Sequence, residues 1–182
     1  ELENPATLGP LSTVNKIGVS LFESISGGRT AGFTTLHYSE TQQYTSFFMT
    51  GLMIIGGASG AVSGGIKINT VAIIVMTVLS TVGGKSYASA FKREIPHIQV
   101  QRAMTLAVSS IILIFLAALL LTFSERNTGI PFIDLLFESI SAFSTTGLST
   151  GITDSLSTAG RLVLIGDGVR RQHVGGGAEF HR

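Results

Sequence analysis

An all-α membrane protein with an internal repeat is the fold this sequence predicts. Three observations carry that prediction: charge is scarce, one uncharged run has the length of a membrane span, and one fifteen-residue segment occurs twice. Of the 182 residues, 45% are hydrophobic and 13% are Asp, Glu, Lys or Arg, with a mean hydropathy of +0.46. A soluble domain carries about a quarter charged residues, so roughly half of the water-facing charge is missing. The net charge of +1 gives no electrostatic footprint for nucleic acid. Cysteine is absent, which excludes a disulfide framework, a thiolate zinc site and a cysteine nucleophile. The four histidines are scattered and predict no metal site. The chain opens on polar Glu1-Leu-Glu-Asn-Pro-Ala without Met or signal peptide, so it is expected to be an excerpt of a longer protein.

In chain order, the first element is a short apolar helix over about 14–26, followed by a Thr/Gly segment. The apolar stretch 47–82 comes next. As one helix it would be about 54 Å long, well beyond the roughly 30 Å hydrocarbon core. Its middle, Gly56-Gly-Ala-Ser-Gly-Ala-Val-Ser-Gly-Gly65, holds five glycines, each costing close to 1 kcal/mol relative to Ala inside a helix. Two helical pieces, about 46–55 and 66–82, joined by a loop at membrane depth, are therefore expected. Such a loop survives only if buried in protein or lining a water-filled cavity.

Residues 83–102 carry Lys85, Lys92, Arg93 and Arg102 against Glu94, and the positive-inside rule places them in the cytoplasm. The run Ala103–Phe123 contains no charge and matches the roughly 20 residues a spanning helix needs. Segment 124–134, with Glu125, Arg126 and Asp134, then lies outside. A second short helix is expected over about 131–143, with Pro131 suited to its first turn.

The repeat joins these elements. Leu21-Phe-Glu-Ser-Ile-Ser-Gly-Gly-Arg-Thr-Ala-Gly-Phe-Thr-Thr35 aligns without gaps with Leu136-Phe-Glu-Ser-Ile-Ser-Ala-Phe-Ser-Thr-Thr-Gly-Leu-Ser-Thr150, with nine identities in fifteen positions. Both helices are too short to cross, and the second follows a span that ends outside, so the chain must dip in and return. A half-helix entering this way aims its C-terminal partial negative charge at the membrane centre. Glycine then supplies the torsions that let carbonyl oxygens face an axis and replace a cation's hydration shell. The alternative reading of each Thr/Gly segment is a helix hinge; two copies behind one hexamer favour a filter.

Arg29-Thr-Ala-Gly-Phe-Thr, Gly56-Gly-Ala-Ser-Gly-Ala-Val-Ser-Gly-Gly-Ile-Lys67 and Ser144-Thr-Thr-Gly-Leu-Ser-Thr-Gly-Ile-Thr153 together resemble the pore subunits of the Trk/Ktr/HKT potassium-transporter superfamily. The likeness covers about 12–165. It implies repeated units of membrane helix, pore helix, filter and membrane helix around one ion path, here incomplete. Residues 1–82 would be the third unit's pore helix, filter and broken second membrane helix, and 83–102 a cytoplasmic basic loop. Residues 103–165 would be the fourth unit's first membrane helix, pore helix and filter, and 166–182 an aberrant polar tail.

The resemblance also implies site roles. Thr30, Ala31, Gly32 and Phe33, with Thr145, Thr146, Gly147 and Leu148, match the ion-binding filter. Gly56, Gly57, Gly60, Gly64, Gly65 and Lys67 match an intramembrane gate loop beneath it. Lys67 could repel cations while the gate is shut, or snorkel toward the cytoplasmic surface; both readings stand. Glu23 and Glu138 are preferred as carboxylates bracing the filter from behind over direct ion ligands, and Arg29 as a brace at the external mouth.

The match stops at Gly166, after Met49–Gly56 realigns with Ala159–Gly166. The following residues hold two acids, three arginines and two histidines where a membrane helix would stand, at high cost in a bilayer. His173 and His181 have no fixed spacing geometry for a metal.

The function expected is uptake of potassium, with sodium as the second candidate ion, across the plasma membrane (a bacterial inner membrane) by a longer pore subunit. No enzymatic activity, covalently bound cofactor, other metal or nucleic-acid partner is expected. The expected partners are the bilayer, the rest of the subunit and, by resemblance, a second copy and a cytosolic nucleotide-binding regulator. The alternatives are a helix-packing scaffold using the Gly56/Gly60/Gly64 spacing, or a non-functional truncated product. Gly60–Lys67 has a faint likeness to a phosphate loop, but Ile66 separates Gly65 from Lys67 where that motif needs Gly-Lys-Ser/Thr.

Overall fold

The uncharged run at 103–123 lies inside helix α4 (His97–Ser124), whose 28 residues make it the one described helix long and apolar enough to cross a membrane. In the computed structural model, which describes residues 1–57, 64–84, 87–90 and 93–176, five further α-helices surround or follow it. These are α1 (Thr13–Gly28), α2 (Gln43–Ile54), α3 (Ile68–Val82), α5 (Phe132–Ser144) and α6 (Thr158–Gly176). Ser12 caps α1 by accepting from the Asn15 N–H, and Pro131 stands at the N-cap of α5 rather than within its first turn. At 16 and 13 residues, α1 and α5 extend about 24 and 20 Å, too short for the hydrocarbon core.

The expected break in the second apolar stretch is present. Helix α2 ends at Ile54 and α3 starts at Ile68, and the chain between them is pinched shut by a two-residue parallel pair, β1 (Ile55–Gly56) with β2 (Ile66–Lys67). The basic loop likewise contains a small antiparallel pair, β3 (Ser89–Ala90) with β4 (Arg93–Glu94). These four short strands modify the purely helical expectation. Lys85 and Lys92 of that loop lie outside the described residues.

Helix α5 sits at the centre, packed on α2, α4 and α6, while α3 lies along α4 and α1 packs chiefly on α2. The main core joins Met49 and Met53 of α2, Ile114 of α4 and Phe137, Ile140 and Phe143 of α5, together with Tyr38 and Leu148. A second cluster of Leu121, Leu135 and Leu156 closes the other end. Outside these contacts α4 presents bare apolar side chains, Phe115 and Phe123 among them. Contiguous apolar faces of this kind meet lipid or another protein surface.

The polar stretch from Gly166 is helical as far as Gly176, where it continues α6. Gly160 and Gly168 are eight residues apart, on one face, and a Cβ at Gly160 would come within 2.5 Å of Glu125 Oε1 while one at Gly168 would meet the Ala142 carbonyl at 3.6 Å. Gly160 thus lets α6 close on Glu125 at the end of α4, while the contact at Gly168 is an ordinary one. Residues 177–182, His181 among them, lie outside the described residues, as does the His173 side chain.

Candidate functional site

Each copy of the repeat folds into a helix end, a sharp turn and an extended return, and the same hydrogen bonds hold both. In the first copy Glu23 of α1 is buried. Its Oε1 accepts from the Thr35 N–H at 2.7 Å, the Thr35 hydroxyl at 2.9 Å and the Thr34 hydroxyl at 3.1 Å, and its Oε2 accepts from Tyr38 Oη at 2.9 Å. In the second copy Glu138 of α5, equally buried, accepts at Oε1 from the Thr150 N–H at 3.0 Å and the Ser149 hydroxyl at 2.5 Å, and at Oε2 from the Thr153 hydroxyl at 3.1 Å. Adding the repeat offset to 34, 35 and 38 gives 149, 150 and 153, so the two carboxylates hold equivalent partners. Both sit behind the return segment.

The turn is conserved between the copies in the same detail. Thr30 and Thr145 are the only described non-glycine residues in the left-handed region, with φ of 51° and 53°, and Gly32 and Gly147 follow at 76° and 83°. A left-handed Thr costs about 1–2 kcal/mol, and strain of this kind persists only where its surroundings impose it. Backbone bonds Ala31 N–H to Ser26 O and Thr146 N–H to Ser141 O, at 2.9 and 3.0 Å, tie each turn to its helix. The hydroxyls of Ser26 and Ser141 then donate to the carbonyls of Phe33 and Leu148, at 2.5 and 2.6 Å. With those two carbonyls engaged, the carbonyls of Thr30, Ala31, Gly32, Thr145, Thr146 and Gly147 accept no hydrogen bond from any described residue.

The two return segments lie side by side. A Cβ added to Gly32 would stand 2.1 Å from the Thr146 carbonyl oxygen, whereas one on Gly147 would meet nothing within 4 Å. Tyr38 links the copies from behind. Its ring lies 5.2 Å from that of Phe137 while its hydroxyl serves Glu23. Arg29 is the C-cap of α1, and its exposed side chain makes no hydrogen bond or ion pair with a described residue.

The glycine-rich loop meets the first copy directly, through a 2.9 Å hydrogen bond from the Gly64 N–H to Thr30 Oγ1. Its ends close on backbone alone: Gly65 adopts φ of 72°, and a Cβ on Gly56 would overlap the Gly64 carbonyl. Gly57 accepts from the Ile68 N–H at 3.3 Å, and Gly60 lies outside the described residues. Lys67 pairs in register with Gly56 and stands at the N-cap of α3. The 15 residues of α3 put it about 22 Å along the helix from the basic loop, farther than a lysine side chain reaches.

Sequence reasoning found the glutamates, the glycines and the threonines at the turns. It missed Ser26 and Ser141, although both lie in the identical hexamer, and Tyr38 and Thr153, which stand beyond the aligned segment. Their shared offset of 115 was the available signal.

Compared with known proteins, residues 4–168 match the TrkH family, described as a cation transport protein. The chain is 36% identical over 165 residues to Ktr system potassium uptake protein B of Bacillus subtilis, covering 91% of this chain and 36% of that protein. It is 34% identical over 165 residues to the protein of the same name from Vibrio alginolyticus, covering 91% and 35%. Potassium/sodium uptake protein NtpJ of Enterococcus hirae is also 34% identical over 165 residues, covering 89% and 36%. The chain spans about a third of the length of these relatives.

Proposed function

We propose, from the premise that the chain belongs to the TrkH cation transport protein family, that it forms part of a pore subunit taking up potassium across the plasma membrane. Residues 30–33 and 145–148 contribute two sides of its ion filter, the carbonyls of 30–32 and 145–147 toward the ion and those of Phe33 and Leu148 held by Ser26 and Ser141. The observation that carries this reading is the adjacent pair of return segments with six carbonyls that no described donor claims. Ala31, Thr145 and Gly147 are exposed and Thr30 and Gly32 half-exposed, so these carbonyls are open to an incoming ion, and a dehydrating cation is the partner that a ring of them satisfies. Potassium leads because two of the relatives are named for potassium uptake and the third for potassium and sodium.

The glutamates act from behind as fixed anchors rather than as ion ligands. Their oxygens are occupied by hydroxyls and backbone N–H groups, and a carboxylate so engaged holds its shape when the ion moves. The glycine loop acts as the gate, latched to the filter by Gly64 and Thr30. Lys67 stands at the filter end of α3 and adds an electrostatic barrier to cations there. The basic loop 83–102 faces the cytoplasm and supplies the docking surface for a regulatory subunit, and the whole subunit pairs with a second copy.

Rubidium and sodium uptake by the full-length protein, in cells lacking their own potassium uptake, tests the filter assignment. Gly32→Ser and Gly147→Ser are each expected to change the ratio of the two ions. Unchanged discrimination in both variants would overturn it. The scaffold alternative makes a different prediction: single cysteines placed at 56–65 would resist water-soluble thiol reagents, whereas a gate loop lining a wet path is labelled.

A further inference from the structure

Helices α2, α4 and α5 enclose an open groove of about 670 Å³ that the ion path does not use. Its walls are aliphatic and aromatic, with Gly51 at the α2 side, where a Cβ would meet nothing within 4 Å. Its two threonines are chemically silent, because the hydroxyl of Thr50 is spent on the Phe47 carbonyl and that of Thr122 on the Ala118 carbonyl. Along α4 the groove runs from Ile111 to Phe123, about 18 Å of helix, close to the half-thickness of a roughly 30 Å hydrocarbon core. One charge stands at its rim. Arg126 lies just past the end of α4, its guanidinium 5.8 Å above the Phe123 ring and without a hydrogen bond or ion pair to any described residue. The adjacent Glu125 does not neutralise it, since that carboxylate is buried against α6, accepting from the Ser157 N–H at 3.0 Å and from the Ser157 hydroxyl.

We propose that this groove holds an acyl chain of an anionic phospholipid whose phosphate pairs with Arg126. An apolar slot one leaflet deep with a single cation at headgroup height is complementary to such a lipid, and guanidinium pairs with phosphate bidentately. Because Arg126 is at the end of α4 remote from the basic loop, the lipid comes from the outer leaflet. The site rests on the membrane reading of α4 and is independent of the filter.

The chain contains no Trp, so Phe115→Trp places one reporter in the groove and Val78→Trp one on the exposed face of α3, in a full-length background whose other tryptophans are replaced by Phe. Each is reconstituted in bilayers containing brominated phosphatidylglycerol or brominated phosphatidylcholine. At position 115 the anionic lipid is expected to associate about fivefold better than the neutral one, the advantage one basic residue confers near anionic lipid. No preference is expected at 78. Arg126→Gln should abolish the preference at 115 while leaving quenching intact, and Gly51→Leu should reduce quenching there by filling the slot. Equal quenching by both lipids at 115 overturns the headgroup assignment. Quenching at 78 with none at 115 overturns the site altogether, showing protein over the groove. Quenching at neither position contradicts the membrane reading itself.

Discussion

The two copies of the repeat share a backbone but differ in their surroundings. In the first, Leu21, Phe22 and Ile25 are largely exposed, as is Phe33 beside the filter glycine; in the second, Phe137, Ile140 and Leu148 are buried by α2, α4 and α6. Yet the glutamate bracket, the left-handed Thr, the left-handed Gly and the serine-to-carbonyl bond recur at equivalent positions. The turn conformation is therefore written locally, in Glu, Ser, Thr and Gly at fixed spacing, since it recurs in two different surroundings. Packing decides something else: which losses water can repair.

The sharpest break in the comparison is at the glycines. Gly32→Ala drives a Cβ into the Thr146 carbonyl, a backbone atom that cannot rotate aside, on top of the left-handed strain; rubidium uptake should fall much further than in Gly147→Ala. Gly147→Ala carries only the strain, about 1–2 kcal/mol, and should keep measurable uptake. Equal losses would refute the asymmetry.

Next come the brackets. Glu138→Ala leaves the Thr150 N–H without its acceptor in a residue 3% exposed, which should cost about 3 kcal/mol. Glu23→Ala exposes the Thr35 N–H, which water can reach, but also takes the acceptor from the buried Tyr38 hydroxyl, and should cost about 2 kcal/mol. Thermal unfolding in detergent separates them, with Glu138→Ala melting lower.

A smaller contrast concerns the latch. Thr30→Val removes the acceptor of the Gly64 N–H, a loss of about 1 kcal/mol, and should raise thiol labelling of a cysteine in the glycine loop. Thr145→Val has no such bond to lose and should leave labelling unchanged. The smallest contrast is at the serines: Ser26→Ala leaves the carbonyl of exposed Phe33 to water, whereas Ser141→Ala leaves that of buried Leu148 unpaired, so they should cost about 1 and about 2 kcal/mol by the same unfolding assay.

Much of this was readable without coordinates because the repeat is local. An identical hexamer followed by Thr and Gly at the same offsets fixes where the turn falls, and an apolar uncharged run fixes α4. What escaped depended on contacts between distant segments. No pattern ties Gly64 to Thr30 across 34 residues, and Tyr38 and Thr153 differ in type although they do the same job for the two glutamates. The continuation of α6 past Gly166 escaped because composition argues against it there.

Anomalous diffraction from crystals of the full-length protein soaked in rubidium tests the central claim most directly. A rubidium peak coordinated by carbonyls of both Thr30–Gly32 and Thr145–Gly147 is expected, with Glu23 and Glu138 behind the return segments and out of reach. Rubidium bound at the glutamates, or confined to sites away from these two segments, would contradict it.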